Sequence, residues 1–428
     1  MVGDRSVFNE RIQSILQFFF TIGLTALLLS ACDKPKPMFE CTDRIGCVEI
    51  GPGEPIHIGV MQALSGDVAS LGKEQIRGFE LALDKREGIL LGHPIVLQVE
   101  DTGCTAEGGA NAALKIIADP QMVAILGTTC SGAGATASKA MSDAGLTMIS
   151  GNNSAPFLTA IAGKPALHWQ PGYFRTAANE ESSGKAAAIF AYQRLGVRKA
   201  ATIHDGDIYT RGLTEGFETA FQEMGGEIVL SAAVNKGDTQ MQPVLTAVLN
   251  AGAGLLFFPL FQPEGNHLLF TARETPGFED IVLMGGGALI ESSFIEAVGP
   301  AGIGMYFVGP ARPEGIAVDS LTMAYISKFG TRPGASYFQS AYDAADLLMT
   351  TIEAVAVQDP DGRLYIGRGA LRDRLYAVDD FEGVTGVLDC DRFGDCAMPV
   401  FDVLRLDNPA AGLEGLVSNI LFTHVAVE

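Results

Sequence analysis

The sequence is poor in positive charge. Its 29 lysine and arginine residues stand against 50 aspartate and glutamate residues, which leaves a formal net charge of −21 over 428 residues. A nucleic-acid-binding protein needs a basic surface to neutralise phosphates, so the charge balance argues against nucleic acid as a partner. The excess of carboxylates instead predicts an acidic, well-solvated surface.

Motifs for metal, cofactor and nucleophilic chemistry are also missing. The 7 cysteines include no CxxC pair and have no histidine cluster nearby, which argues against zinc. Gly285-Gly286-Gly287 lacks the GxGxxG spacing of a dinucleotide loop, and the absence of GxSxG argues against an α/β hydrolase. Asp389–Asp395 lacks the ligand spacing of a calcium loop and favours a disulfide-closed turn. We therefore expect no cofactor, no bound metal and no enzymatic activity.

The N-terminus carries an export signal. Arg5 and Arg11 precede the mostly apolar run Ile15–Ala31, and this order is typical of a signal peptide. Leu29-Ser30-Ala31-Cys32 resembles the bacterial lipobox, which predicts removal of residues 1–31 and acylation of Cys32. The alternative is a transmembrane anchor, because about 17 apolar residues just reach the lower limit for a span. We expect an extracytoplasmic chain that a lipid anchors to the cell membrane.

Residues 32–55 lack an apolar period and are rich in proline, lysine and glycine. Pro35, Pro37, Pro52 and Pro55 keep such a segment extended. The composition predicts a tether between the anchor and the folded part of the chain.

The remaining cysteines predict disulfides. Six are left after Cys32, an even number in an exported protein, and six cysteines allow 15 pairings. Proximity in the sequence favours two disulfides that each close a short loop, and the two remaining cysteines would then close a longer loop. The pairs are Cys41–Cys47, Cys390–Cys396 and Cys104–Cys130.

Short apolar runs alternate with amphipathic segments from Ile56 onward. Such alternation predicts parallel sheets with helices on both faces, and the length of the chain favours two sheets. Predicted strands include Ile56–Gln62, Ile95–Asp101, Met122–Gly127, Leu146–Ser150, Ala200–His204, Leu255–Pro259, Ile281–Met284 and Met305–Val308. Predicted helices include Lys73–Glu87, Ala106–Ala118, Ser131–Ala144, Glu180–Leu195, Tyr209–Met224 and Phe338–Val355.

The stretch 122–156 contains two successive strand-to-helix units. Thr128-Thr129-Cys130-Ser131 follows the first strand, and Gly151-Asn152-Asn153-Ser154 follows the second. Because ligands bind outside the carboxyl ends of parallel strands, both turns should face one crevice. A helix capped by Ser131 would also offer free N–H groups to an anion. The pattern predicts a carboxylate site, and ordinary βα turns are the alternative.

Seven short segments, in order along the chain, resemble one family. They are IGVMQALSGDVASLGKEQIRGFELAL, VEDTGCTAEGG, AILGTTCSG, LTMISGNNSAPFLT, FRTAANEESSGKAAA, TIHDGDIYTRGL and VTGVLDCDRFGDC. Each is unspecific alone, but their order and spacing are typical of type I periplasmic binding proteins, in the branched-chain amino acid receptor family of ABC importers. The resemblance implies an α/β fold of two Rossmann-like lobes with parallel sheets joined by three crossovers. The lobes would be residues 56–176 plus 310–381, and 177–309 plus 382–428.

The resemblance also implies ligand-binding residues. The family's carboxylate-binding serine matches Ser131. Its small loop that holds the α-amino and carboxylate groups matches Asn152, Asn153 and Ser154, and its ligand-facing tyrosine of the other lobe matches Tyr209. In related receptors a disulfide precedes the serine.

That disulfide matches Cys104–Cys130 and supports the pair that proximity leaves over. Three positions depart from the family. The acid that pairs with the ligand's ammonium group matches Gly287, with Glu291 the nearest acid, while two ligand-facing aromatic positions match Phe261 and Leu71. These changes make the predicted site more apolar.

The function implied is that of an extracytoplasmic solute-binding lipoprotein that delivers a small molecule to an ABC permease. The ligand would be a small carboxylate with an aliphatic or aromatic body, with or without an α-amine; the cost of a buried ammonium without a partner favours an acid that lacks it. A branched-chain amino acid is the alternative, with Glu180 or Glu264 replacing the missing acid. A ligand-sensing receptor for a signalling partner is the alternative function.

Overall fold

The computed structural model describes residues 39–335 and 337–426. The predicted signal peptide and Cys32 lie outside these residues. Two sheets organise the chain, and helices cover both faces of each. The first lobe is built on a six-stranded sheet and the second on a seven-stranded sheet.

The sheet of the first lobe is parallel apart from one edge. Ile89–Leu90 pairs antiparallel with its neighbour, and the other pairings are parallel. The strands in spatial order are Ile89–Leu90, His93–Asp101, Ile56–Gln62, Met122–Gly127, Thr147–Ser150 and Tyr173–Arg175. The apolar runs Ile56–Gln62 and Met122–Gly127 form the strands predicted for them, because both are buried on both faces.

The sheet of the second lobe begins parallel and ends antiparallel. Its strands in spatial order are Glu227–Ala233, Lys199–His204, Leu255–Phe258, Val282–Gly285, Tyr306–Pro310, Val400–Arg405 and Ile420–Val425. The last two pair antiparallel. Smaller sheets join Cys47–Ile50, Leu364–Gly367 and Val357–Gln358, and form the hairpins Phe381–Gly383/Gly386–Leu388 and Ala160–Ile161/Lys164–Pro165.

Helices connect the strands as the alternation predicts. The α-helices are Ala69–Asp84, Ala106–Ile117, Ser131–Asp143, Glu181–Ile189, Ile208–Glu223, Gln242–Ala251, Glu264–Glu274, Ser292–Val298, Ile316–Phe329, Tyr337–Val355, Arg368–Tyr376 and Gly412–Val417. Phe190–Arg194 continues one of them as a π-helix, and short 3-10 turns span Pro156–Leu158, Gly287–Leu289, Gly299–Gly302 and Pro409–Ala411. None of the helices in the described part of the chain is long and apolar enough to cross a membrane.

Within the described residues, the chain passes between the two sheets three times. The first crossover follows Tyr173–Arg175, the second follows Tyr306–Pro310, and the third precedes Val400–Arg405. The hairpin before this third crossover, which the sequence assigns to the second lobe, contributes Leu388 to the core of the first. The two-lobed α/β fold is thus confirmed, while its detailed limits stay predictions.

Four residues within the predicted tether form a strand. Cys47–Ile50 pairs antiparallel with Leu364–Gly367. Val48 and Ile50 alternate into the core of the first lobe. The two-residue period of this short strand is too brief to be recognised among the surrounding prolines and glycines.

Disulfides close two loops as predicted. Cys104 is bonded to Cys130, and Cys390 to Cys396. Cys41 and Cys47 are also disulfide-bonded cysteines, and their pairing with each other stays a prediction.

Candidate functional site

The two turns expected to face one crevice are joined by hydrogen bonds. Thr128, after the first strand, donates its N–H to Asn153 Oδ1 at 3.2 Å. The N–H of Ala155, after the second strand, donates to Ser131 Oγ at 3.2 Å. The structure therefore brings Ser131 and the 152–154 turn together at the carboxyl edge of the sheet.

Gly127 makes the close approach of these turns possible. Its φ is +142°, and a Cβ atom there would lie 2.2 Å from the carbonyl oxygen of Met61. Only glycine adopts this backbone conformation at no steric cost. The neighbouring strand can therefore lie directly beneath the turn that carries Thr128.

Ser131 begins its helix but does not cap it. Cys130 occupies the cap position, without a side-chain cap hydrogen bond, so the predicted capping role of Ser131 is wrong. The hydroxyl of Ser131 is instead used by Ala155. The first N–H groups of a helix have no intrahelical acceptors, and the Ser131 end of the helix is therefore suited to a carboxylate.

Asn153 supports the turn. Its side-chain oxygen accepts from Thr128 N–H at 3.2 Å and from the hydroxyl of Tyr173 at 3.2 Å, and the residue is fully buried. Ser150 Oγ accepts the N–H groups of Asn152 and Asn153. These bonds fix the turn, while the side chains of Asn152 and Ser154 remain for other contacts.

Glu180 is the most unusual side chain of the site. It is fully buried, and neither carboxylate oxygen meets the geometry of a hydrogen bond with any described residue, although the hydroxyl of Ser154 is close enough to stabilise the charge in part. Burial raises its pKa to about 8, although Ser154 and Arg175 nearby oppose the rise. Its own N–H donates to the carbonyl oxygen of Ser154 at 2.9 Å, so the acid is held beside the turn. At pH 7 with the lobes closed, this group is mostly a neutral carboxylic acid.

Gly287 lies next to this acid. A Cβ atom built on Gly287 would be 3.5 Å from Glu180 Oε1 and 3.1 Å from the hydroxyl of Tyr337. Glu291, the nearest acid in the sequence, instead accepts from Ser70 Oγ at 2.9 Å and from Gln262. The acidic side chain of Glu180 therefore lies beside Gly287, although it belongs to a different segment of the chain.

Glu264, the other acid considered as a replacement, is engaged elsewhere. It is buried, and its carboxylate accepts the N–H of Gly237. Its carboxylate therefore binds a loop of the second lobe, which does not leave it free as a partner for a ligand ammonium group.

The residues predicted to face the ligand from the apolar side of the site lie in one buried cluster. Leu71, Tyr209 and Phe261 belong to a single buried cluster, together with the Cys104–Cys130 disulfide. The rings of Tyr209 and Phe261 lie with centroids 5.1 Å apart. The hydroxyl of Tyr209 accepts the N–H of Ala288 at 3.1 Å, and burial raises the pKa of this phenol well above its usual value.

The lobes are in contact across the crevice. Lys236 of the second lobe donates to the carbonyl oxygen of Cys104 at 3.3 Å and to Asp207 at 3.0 Å. Ser70 of the first lobe reaches Glu291 of the second. The structure is thus a closed arrangement.

Arg175 is a supporting residue that the sequence does not single out. Its guanidinium is fully buried and donates to the carbonyl oxygens of Asn153 and Ala155 at 3.1 and 2.8 Å. It also pairs with Asp395. The only sequence signal is a charged residue at the end of a short apolar strand, Tyr173–Arg175.

This fold and this interlobe crevice define a solute-binding protein. The sequence profile of the periplasmic binding protein family matches residues 55–404, and the chain belongs to that family. The family binds solutes and is not enzymatic.

Relatives agree with this assignment. The chain is 26% identical over 364 residues to Leu/Ile/Val-binding protein homolog 3 of Brucella melitensis, covering 84% of this chain and 94% of the relative. It resembles in fold the leucine-binding protein LivK of Thermotoga maritima, with a TM-score of 0.73, 22% identity and coverage of 83% and 96% of the two chains. It also resembles a solute-binding protein of an R. palustris ABC transporter in complex with benzoate, with a TM-score of 0.71, 20% identity and coverage of 86% and 97%.

Proposed function

We propose that the chain is a lipid-anchored, extracytoplasmic substrate-binding protein of an ABC importer and that it binds an α-amino acid between its lobes. The anchor rests on Leu29-Ser30-Ala31-Cys32. The ligand class is supported by the Leu/Ile/Val- and leucine-binding relatives and by the acid beside Gly287.

Glu180 is the observation that carries the ligand class. Ionisation of this buried acid is costly while it has no charged partner, and a ligand ammonium group would stabilise its carboxylate form. Ser131, Asn152 and Ser154, with the helix start at Ser131, supply the carboxylate end of the same site. An α-amino acid carries these two charges at the required short separation.

The buried cluster of Leu71, Tyr209 and Phe261 favours a ligand with an apolar side chain. Leu71, Tyr209 and Phe261 offer no free charge to a side chain. Burial of an aliphatic side chain against them contributes about 1.5–3 kcal/mol. We infer an amino acid with an aliphatic side chain of leucine or valine type.

Calorimetry with paired ligands tests this function. Leucine should bind the full chain, and its deaminated analogue 4-methylpentanoate should bind at least 10-fold more weakly. Glu180→Gln should weaken leucine by about 100-fold, since a hydrogen-bonded charge pair is lost. Glu264→Gln, the matched control at a buried acid bonded to Gly237, should leave leucine affinity unchanged.

A carboxylate without an amine is the second candidate. A solved relative in fold binds benzoate, and a neutral Glu180 tolerates a ligand that lacks an ammonium group. Benzoate or 4-methylpentanoate binding as tightly as leucine, with no effect of Glu180→Gln, would establish this candidate in place of the first.

A receptor that signals to another protein is the alternative to import. The two are separated by isolating the chain from its native membrane after mild cross-linking. Recovery of a permease supports import, and recovery of a sensor protein in its place contradicts it.

A further inference from the structure

A cavity of about 380 Å³ lies at the hinge. Residues of all three crossovers line it. The first contributes residues 176–178, the second residues 310–313, and the third residues 397, 398 and 400. Glu180 and Ser131 are not among its lining residues, and the cavity approaches the proposed amino acid site at Gly287 and Tyr337. We propose that this hinge cavity binds a small neutral molecule with an apolar body and one hydrogen-bonding group, and that its occupation favours closed lobes.

The size and walls of the hinge cavity suit a small molecule. Ligand pockets commonly measure about 300–1,000 Å³ and are lined mainly by apolar side chains. Ile290, Pro310, Leu388 and Val400 are among the walls here. A ring or a branched chain buried against them would be removed from water.

The charges around the hinge cavity exclude an ion. Arg312 is the single charged residue among the lining residues. Its guanidinium donates two hydrogen bonds to the carboxylate of Glu414, at 2.8 and 3.1 Å. Because this charge is already neutralised, an anionic ligand would have no free partner.

One polar side chain of the cavity wall is available to a ligand. Gln339 is only 2% exposed, and its side-chain amide makes no hydrogen bond within the described residues. By contrast, the hydroxyl of Thr176 donates to Ser340 O at 2.6 Å, and that of Thr385 donates to Asp343. The amide of Gln339 lines the cavity and is not among the polar groups that are enclosed without a partner, so a ligand with one donor or acceptor could hydrogen-bond to it.

The hinge cavity has a mouth lined by apolar side chains. Val387 and Met398 are 47% and 65% exposed, and both line the cavity. A neutral molecule could therefore enter from solvent without passing through the crevice between the lobes.

Occupation of the hinge cavity would be coupled to lobe position. Crossover segments are where a hinged protein absorbs the change of backbone angles. A molecule that contacts all three in the closed arrangement interacts differently with the open one. A ligand shifts a conformational equilibrium by this difference in affinity, here toward the closed lobes.

Two probes that differ by one hydroxyl group test the site. Ligand-observed NMR on the full chain should show binding of both 4-methylphenol and toluene. Gln339→Leu should weaken 4-methylphenol by about 2- to 10-fold and leave toluene unchanged. Ala397→Trp should block both probes by filling the hinge cavity.

A matched pair of exposed methionines controls for nonspecific effects. Met398→Ala should weaken both probes, whereas Met323→Ala, at a methionine of equal 65% exposure that does not line the hinge cavity, should change neither. Absence of binding to the wild-type chain at millimolar probe, or binding that survives Ala397→Trp, would overturn the site.

The coupling has its own readout. Small-angle scattering should show a smaller radius of gyration with 4-methylphenol alone, and an unchanged or larger radius would refute the coupling. Neither measurement uses leucine. Loss of leucine binding with probe binding intact would therefore overturn the proposed function and leave this inference standing.

Discussion

The buried Arg175 and the half-buried Asp395 form an ion pair that joins the 152–154 turn to the segment before the third crossover. Arg175 Nε lies 2.5 Å from Asp395 Oδ1, and the guanidinium also holds the carbonyl oxygens of Asn153 and Ala155. The guanidinium of Arg175 thus contacts both the 152–154 turn and the segment that leads into the third crossover.

Arg175→Met should lower the free energy of unfolding by about 3 kcal/mol, because Asp395 would lose its charged partner and the buried carbonyl oxygens of Asn153 and Ala155 would lose their donor. Denaturant titration followed by circular dichroism measures this. Arg44→Met is the control, since Arg44 pairs with Asp373 at 2.7 Å with both side chains more than half exposed. It should cost less than about 1 kcal/mol. Equal effects of the two variants would contradict the role of Arg175.

Amino acid binding should depend on pH through Glu180. Burial raises the pKa of this acid from 4.5 to about 8, so the empty closed site is protonated at pH 7. An ammonium ligand needs the carboxylate, so binding at pH 7 should release a large fraction of one proton. Affinity should rise up to about tenfold per pH unit between about 6 and 8 and level off above.

Calorimetry in buffers of different ionisation enthalpy measures the released protons. Glu180→Gln serves as the control and should abolish the release. Flat affinity from pH 6 to 8 in the wild-type chain would show that the ligand does not engage this acid.

The two disulfides should differ in their effect on stability. Cys104 and Cys130 are separated by 26 residues, and Cys390 and Cys396 by 6. The loop entropy of the unfolded chain predicts losses of about 3.5 and about 2 kcal/mol when each pair is replaced by serine. Thermal unfolding of the two double variants checks the order, and a larger loss for Cys390–Cys396 would contradict it.

Ligand should draw the lobes together. Ser131 and Ser154 lie on one lobe and Tyr209 on the other, so a bound molecule gains contacts only when the crevice is closed. Small-angle scattering should show a smaller radius of gyration with saturating leucine. An unchanged profile would count against hinge closure.

Lys236 should contribute to that closure. Lys236→Met removes the ammonium group that reaches Cys104 of the opposite lobe and should lower leucine affinity several-fold. Lys199→Met is the matched control, because Lys199 pairs with Glu227 within the second lobe. Similar losses in both variants would argue against a closing contact.

Lipidation should depend on Cys32. Cys32→Ala should abolish acylation in the native host without unfolding the lobes, because the change lies outside them. Mass spectrometry of the N-terminal peptide measures the modification. An unmodified, uncleaved N-terminus in the wild-type chain would rule out the anchor.

The sequence predicts much of this fold because its strands are short apolar runs with clear ends. Met122–Gly127 forms as predicted, and Ala106–Ile117 differs from prediction by one residue. The first helix begins at Ala69 rather than Lys73, since Ala69-Ser70 carries little apolar period. Cys47–Ile50 was hidden by its short length.

The candidate site is less predictable because its parts come from distant segments. The meeting of Ser131 with the 152–154 turn follows from neighbouring parallel strands, and the sequence suffices for it. The placement of Glu180 beside Gly287, and of Arg175 beside Asp395, depends on how the crossovers bring the lobes together. The local hydrophobic pattern of a sequence does not predict contacts between segments that are far apart in the chain.

Because the chain crosses between the lobes three times, the first lobe contains segments from both halves of the sequence, and this affects the order of folding. The core of the first lobe joins Ile58 and Val60 to Leu348 and Leu388, which are made much later in synthesis. Contacts of such long sequence separation form slowly, because a long loop must close before they stabilise the chain. The first lobe therefore stays incomplete until most of the chain has left the ribosome. Such a delay would suit the export that the N-terminal sequence predicts.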